Sequence, residues 1–235
     1  MRITLINPNT SRAMTAKIAA AAREAAGPGV VIDAVCPETG AAAIESHVDE
    51  VLAAAAVVDL VRQDQQAGGS DAYVIACFGD PGLDVARELV DVPVIGIAEA
   101  AMHAATLAGR TFAVVTTLSR TLGRARDLVA RYGMGDAAVW LTAAEIPVLE
   151  LEDTGSEATA SITRLCHEAV RREADVIVLG CAGMADLCRM LTATAGVPVV
   201  DGVASAVGLA TAMVRMGLKT SKRSEYASPP RLVAV

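Results

Sequence analysis

The chain has 235 residues, 53% of them apolar and only 3% aromatic, and a formal net charge of −7. Its length allows one large α/β domain or two small ones, with a core that needs no staples. An acidic chain repels phosphate backbones, and so few aromatic rings give no stacking platform for bases, so no nucleic-acid partner is expected.

In chain order the pattern begins with strand Arg2–Asn7, helix Arg12–Ala26, strand Val30–Val35 and helix Glu45–Gln66. Strand Ala72–Cys77, helix Gly82–Leu89, strand Val92–Ile95 and a helical stretch opening at Glu99 follow. The second part has strand Thr111–Thr116, helix Leu122–Arg131, strand Ala138–Leu141 and helix Glu157–Glu173. It closes with strand Asp175–Gly180, helix Met184–Thr194, strand Val197–Val200 and helix Ala204–Met216. Short, uninterrupted Val- and Ile-rich runs suit parallel strands covered on both faces, and their alternation with helices predicts βαβ units. Lys219–Val235 is polar, contains Pro229 and Pro230, and reads as a tail on the surface or against a neighbouring subunit.

No basic segment leads into an apolar one at the start of the chain, and no apolar run is long enough to span a bilayer, so neither a signal peptide nor a membrane span is expected. Five cysteines, an odd number, then read as free thiols in a reducing cytoplasm. Only Lys17, Lys219 and Lys222 are lysines, and none is placed to suggest a pyridoxal Schiff base. His47, His103 and His167 are too scattered to form a metal set. No phosphate-binding loop, dinucleotide fingerprint or nucleophile elbow occurs.

The most informative feature is an internal repeat. Asp71-Ala72-Tyr73-Val74-Ile75-Ala76-Cys77-Phe78-Gly79 matches Asp175-Val176-Ile177-Val178-Leu179-Gly180-Cys181-Ala182-Gly183, and the two cysteines lie 104 residues apart. Val92-Pro93-Val94-Ile95 follows the first copy and Val197-Pro198-Val199-Val200 the second. Each half therefore reads as a four-stranded unit with a Cys closing its third strand.

Ligands of open parallel sheets bind at the carboxyl ends of the strands, where both cysteines fall. Each precedes a small-residue turn and a helix, a setting expected to lower a thiol pKa and to supply N–H groups for an enolate oxygen. Two thiols facing each other across a cleft suit two-base racemisation: one removes a proton from one face of a carbon acid and the other returns a proton to the opposite face. A single Cys at a strand end is more often a small core residue, and the matched pair is what favours chemistry. Cys166 and Cys188 fall in helical patterns and read as core fillers, and Cys36 lacks the setting.

Met1-Arg2-Ile3, Ile6-Asn7-Pro8-Asn9-Thr10-Ser11, Ala76-Cys77-Phe78-Gly79-Asp80-Pro81-Gly82 and Leu179-Gly180-Cys181-Ala182-Gly183-Met184 resemble the hydantoin racemase family. That family includes allantoin racemases and lies in the aspartate/glutamate racemase superfamily. The likeness runs over nearly the whole chain, including Thr220-Ser221-Lys222. It implies two pseudo-symmetric α/β lobes with the active site in the cleft between them, and Cys77 and Cys181 as the acid/base pair. It also implies that Asn7, Phe78, Gly79, Thr116, Thr117, Ala182 and Gly183 line the substrate pocket, with no metal or organic cofactor and with homo-oligomers common. The lobes expected are 1–97 with 208–235, holding Cys77, and 98–207, holding Cys181.

Several residues keep a structural alternative. Asn7 sits in a turn that caps the next helix at Thr10 or Ser11, and its amide could instead meet a ligand. Thr116 and Thr117 could cap the helix after Leu118, and Asp80 could orient the Cys77 turn or cap the helix that follows it. Glu45 could approach the cleft. The substrate expected is a small hydantoin-type ring. Its C5 proton lies beside a carbonyl and a ring nitrogen, and the uncharged ring needs no bidentate Arg clamp. The competing readings are an amino-acid racemase or related carbon-acid enzyme such as a decarboxylase, a binding protein on the same fold, and a Cys77–Cys181 redox pair.

Overall fold

The computed structural model describes residues 1–152 and 156–230. Its elements are β1 (Arg2–Ile6), α1 (Arg12–Ala26), β2 (Val31–Val35), α2 (His47–Gln66), β3 (Ala72–Ile75), α3 (Leu83–Leu89), β4 (Val94–Gly96) and α4 (Ile97–Ala108). The second series is β5 (Phe112–Thr116), α5 (Leu122–Arg131), β6 (Ala138–Ala143), α6 (Ser156–Arg171), β7 (Val176–Leu179), α7 (Cys188–Ala195), β8 (Val199–Val200) and α8 (Gly202–Arg215). The strands form two four-stranded sheets in the orders β2-β1-β3-β4 and β6-β5-β7-β8, and every pairing is parallel.

Six of the eight strands fall a residue or two inside their predicted bounds, whereas β4 runs one residue and β6 two residues past the predicted end. Pro93 and Pro198 explain one edge, because proline cannot donate to a ladder. Their carbonyls instead accept from Tyr73 and Ile177, at 2.9 and 3.0 Å, just ahead of β4 and β8. The helical stretch expected at Glu99 is α4, which begins two residues earlier. The segment after Cys181 is a tight 3₁₀ turn over Ala182–Leu187 before α7, not the continuous helix from Met184 that the pattern predicts.

Alternate residues of the first sheet serve two layers. Ile3, Leu5 and Val74 face a core shared with the second sheet's Val114 and Val178 and with Ile97, Met102 and Val207. Ile6, Tyr73 and Ile75 face a smaller cluster under α2 and α3, with Val57, Val61 and Leu83. Burial on both faces is why these strands read as unbroken apolar runs. One apolar core running through both sheets fixes the lobes against each other.

In both sheets the chain leaves the central strand to one side and returns on the other. This places the switch points between β1 and β3 and between β5 and β7, where a crevice opens at the strand ends. The tail is not loose between 219 and 226. Lys222 donates to the carbonyls of Arg87 and Glu88, Thr220 donates to the carbonyl of Val92, and the Tyr226 hydroxyl donates to Asp84. Residues 231–235 of the predicted tail lie outside the described residues. Among the described residues no helix is long and apolar enough to cross a membrane, and all five cysteines are free thiols.

Candidate active site

Cys77 and Cys181 each lie two residues beyond the end of their strand, β3 and β7, and both line one cleft. Asn7, Phe78, Gly79, Thr116, Thr117, Ala182 and Gly183, the other residues predicted from the sequence, line the same cleft. The two halves of the repeat thus converge, each bringing a thiol and the small-residue turn that follows it. The Gly79 N–H favours the Cys77 thiolate, and the Gly183 N–H favours the Cys181 thiolate. Side chains at the glycines around these turns would meet their neighbours, firmly at Gly180 and against the flexible tip of Met14 at Gly183. A Cβ on Gly183 would lie 2.9 Å from the Met14 side chain, and one on Gly180 would lie 2.6 Å from Thr116 Cβ.

The expected lowering of the thiol pKa values is overturned. Burial pushes Cys77 up to about 12 and Cys181 up to about 11, outweighing the Gly N–H donors. The helix ends that were expected to favour thiolates are weak here, because α3 has only seven residues and a 3₁₀ turn follows Cys181. The surrounding charges differ: Asp80 and Glu50 raise Cys77 further, whereas Lys17 lowers Cys181 and Glu45 raises it. A desolvated thiolate is a stronger base, which suits proton removal from carbon.

This burial has a consequence for stability. The folded chain holds the thiol protons above the ordinary value of 9.0, where the unfolded chain releases them. Their contribution is therefore intact below about pH 9 and is lost as pH rises toward 11 and 12. Thermal melts at pH 8 and pH 10.5 should show wild type losing more stability than a Cys77→Ala/Cys181→Ala double variant. Equal losses would mean that folding does not raise the thiol pKa values.

The roles within the β1 loop differ from expectation. The Asn7 amide group donates to Asn9 Oδ1 at 2.8 Å and to Thr15 Oγ1 at 3.0 Å, so its donors hold the loop together. Ser11 N–H also donates to Asn9 Oδ1, at 2.9 Å. A backbone N–H can face only the amide oxygen, so the Asn9 side-chain NH2 is left directed away from these contacts, on a residue that lines the cleft. Asn9 was missed because the loop pattern marks a turn without saying which amide is consumed by it.

Thr116 caps no helix: its hydroxyl donates to the Gly180 carbonyl at 2.9 Å, tying β5 to the residue before Cys181. Asp80 is 4% exposed and does not cap α3. Its carboxylate accepts from Ala98 N at 3.0 Å and Glu99 N at 2.9 Å, the first turn of α4, and from the Tyr132 hydroxyl at 2.6 Å. Burial still pushes Asp80 up to about 6. Glu45 reaches the second lobe, where it accepts from Val148 N at 2.9 Å. Arg124, also missed, donates from Nε and Nη2 to the Gly79 carbonyl at 3.1 and 2.7 Å.

Cys166 is fully buried, as its helical setting predicts, and Cys188 is half-buried with its thiol donating to the Val199 carbonyl at 3.0 Å. Among the described residues no three His, Cys, Asp or Glu side chains are grouped to hold a metal ion.

A family model described as Asp/Glu/Hydantoin racemase matches residues 3–210. The chain belongs to the Asp/Glu/hydantoin racemase family. A hydantoin racemase from Pseudomonas sp. (strain NS671) is 41% identical to this family member, covering 98% of this chain and 93% of that protein. Among solved structures, an allantoin racemase from Klebsiella pneumoniae is 47% identical, with a TM-score of 0.97, covering 100% of this chain and 96% of its own. The allantoin racemase from Pseudomonas fluorescens is 40% identical with a TM-score of 0.95, covering both chains fully. The two parallel sheets and eight helices described above are therefore the architecture of this family.

Proposed function

We propose that this racemase inverts C5 of 5-monosubstituted hydantoins, allantoin among them, with one of Cys77 and Cys181 removing the C5 proton and the other delivering its own proton to the opposite face. Its family and its full-length relatives, named hydantoin and allantoin racemases, make the chain a racemase. The observation that carries the two-thiol route is the convergence of both cysteines on one cleft, each followed two residues later by a Gly that lines it. One thiolate takes the C5 proton, and the C–H electron pair moves into the adjacent carbonyl as an enolate. The opposite thiol then protonates C5 on its other face, so the first sulfur ends as thiol and the second as thiolate. This scheme consumes no cofactor. The lobe division at 97 and 207 belongs to the same proposal; α8, which 207 divides, packs on α1, β3 and β4 of the first lobe and also on α4 of the second.

A ring substrate fits better than a free amino acid. Arg124, the one full cation among the described residues lining the cleft, is already engaged by the Gly79 carbonyl and by Glu50 at 3.5 Å. A carboxylate substrate would have to displace those contacts. The wall combines apolar Ile44, Phe78 and Val148 with hydrogen-bonding Asn9, Thr117 and Thr121, and the polar part suits the ureido group of allantoin.

The test follows optical rotation and C5 proton loss in D2O with single enantiomers of allantoin and of a 5-alkyl hydantoin, against enzyme-free controls. Faster racemisation of allantoin is expected. Racemisation of the alkyl compound alone would overturn the assignment of the polar wall. Rates equal to the controls for both compounds would overturn the proposed substrate class.

A further inference from the structure

We propose that Arg124, with Glu50, is a positioning pair that sets the reactivity of Cys77 and leaves Cys181 unaffected. The inference rests on the two-thiol reading above and adds that the two half-reactions are tuned by separate residues.

Gly79 is held from two sides. Its N–H favours the Cys77 thiolate, and its carbonyl accepts both Arg124 donors, which come from α5 in the second series of elements. Glu50, on α2, lies 3.5 Å from Arg124 Nε, and its Oε1 would lie 3.2 Å from a Cβ on Gly79. A fork of two N–H donors on one carbonyl fixes the orientation of that residue more tightly than a single bond does. Holding the Gly79 carbonyl restricts the φ and ψ of Gly79, and with them the orientation of its N–H in the preceding peptide plane. Arg124 further neutralises Glu50, one of the groups acting on Cys77, the others being Asp80 and Cys181.

The second half of the repeat is built differently. Gly183 is backed by Met14 and by Leu151, apolar side chains with no charge to share. The charged groups acting on Cys181 are Lys17 and Glu45. Lys17 is held by the Leu151 carbonyl and by Asp186 at 3.0 Å. Arg124 holds Gly79 with Glu50 beside it, whereas the Gly183 turn is backed by Met14 and Leu151, so the pair can change one thiol without the other.

Racemisation rates alone cannot reveal this. The equilibrium constant between enantiomers is one, so kcat/KM must fall equally in both directions whichever thiol is impaired. Two other readouts separate the thiols. The first is alkylation of the free enzyme by iodoacetamide at about pH 8.5, with the Cys77 and Cys181 peptides quantified separately by mass spectrometry. Arg124→Gln should slow alkylation at Cys77 by about tenfold, the worth of one good hydrogen bond to a charged group, because it releases Gly79 and removes the Arg partner of Glu50. Glu50→Gln should speed it, and neither variant should move Cys181 more than about twofold. Arg124→Lys, which keeps the charge and one donor, should restore part of the rate.

The second readout is deuterium incorporation without inversion, started from each enantiomer. In Arg124→Gln it should persist for the enantiomer whose proton faces Cys181 and fall for the other. Parallel slowing of both cysteines in Arg124→Gln, or slowing at Cys77 in Glu50→Gln, would overturn the proposal. Alkylation needs no substrate, so the proposal can fail while wild type still racemises, and it can hold even if the substrate has been misassigned.

Discussion

Cys77→Ala and Cys181→Ala are each expected to lower racemisation by about 10³-fold or more, the scale of losing a positioned acid or base. Neither should abolish proton exchange. With Cys77 removed, the Cys181 thiolate still takes the C5 proton from the face it meets and returns a solvent deuteron to that same face. One enantiomer therefore exchanges with retention and the other is inert. With Cys181 removed, the reactive enantiomer is the opposite one. The pattern follows from two sulfurs entering one cleft from β3 and β7. NMR of C5 in D2O, with optical rotation on the same samples, reads both quantities. If one variant racemised at the wild-type rate, or if both variants exchanged the same enantiomer, the two-face assignment would be wrong.

The second large effect concerns the carboxylate behind the Cys77 turn. In the second half of the repeat, Asp201 caps α8 itself, accepting from Val203 N at 3.1 Å and Ala204 N at 2.8 Å. The matching position in the first half is Gly96, three residues after Pro93 as Asp201 is three after Pro198. There the carboxylate arrives from Asp80, and a Cβ on Gly96 would lie 2.3 Å from Asp80 Cγ. The position matching Asp80 in the second half is Met184. The two halves have thus exchanged which loop supplies the cap.

Asp80→Ala should cost about 3 kcal/mol, because it removes a cap and leaves buried donors at Ala98, Glu99 and Tyr132 without their acceptor. Gly96→Asp alone should cost at least as much, since its side chain has no room beside Asp80. The Asp80→Ala/Gly96→Asp double variant should be more stable than the sum of the single changes predicts, by about 2 kcal/mol, because it rebuilds the arrangement of the second half. Recovery stays partial, since Tyr132 loses its partner. Urea melts of the four proteins decide the matter, and strict additivity would show that Gly96 and Asp201 are not equivalent positions.

The alternation of strands and helices, the repeat and the paired thiols were legible in the sequence for local reasons. Strand runs buried on both faces are uniformly apolar, and a repeated fold repeats its turn residues, so Cys77 and Cys181 announce themselves together. Family motifs extended that reading to the seven other predicted residues of the cleft. The remaining features depend on which groups meet after folding. Asp80 reaches the first turn of α4, and Arg124 reaches Gly79 from 45 residues away. Asn7 spends its amide on its own loop while Asn9 faces the cleft. No periodicity encodes such pairings, because side-chain partners are set by how the helices and loops pack. The thiol pKa values are the clearest case. The local pattern of strand, turn and helix argues for lowering, but the cost of desolvating a charge depends on everything packed around the sulfur, and only the assembled lobes supply that.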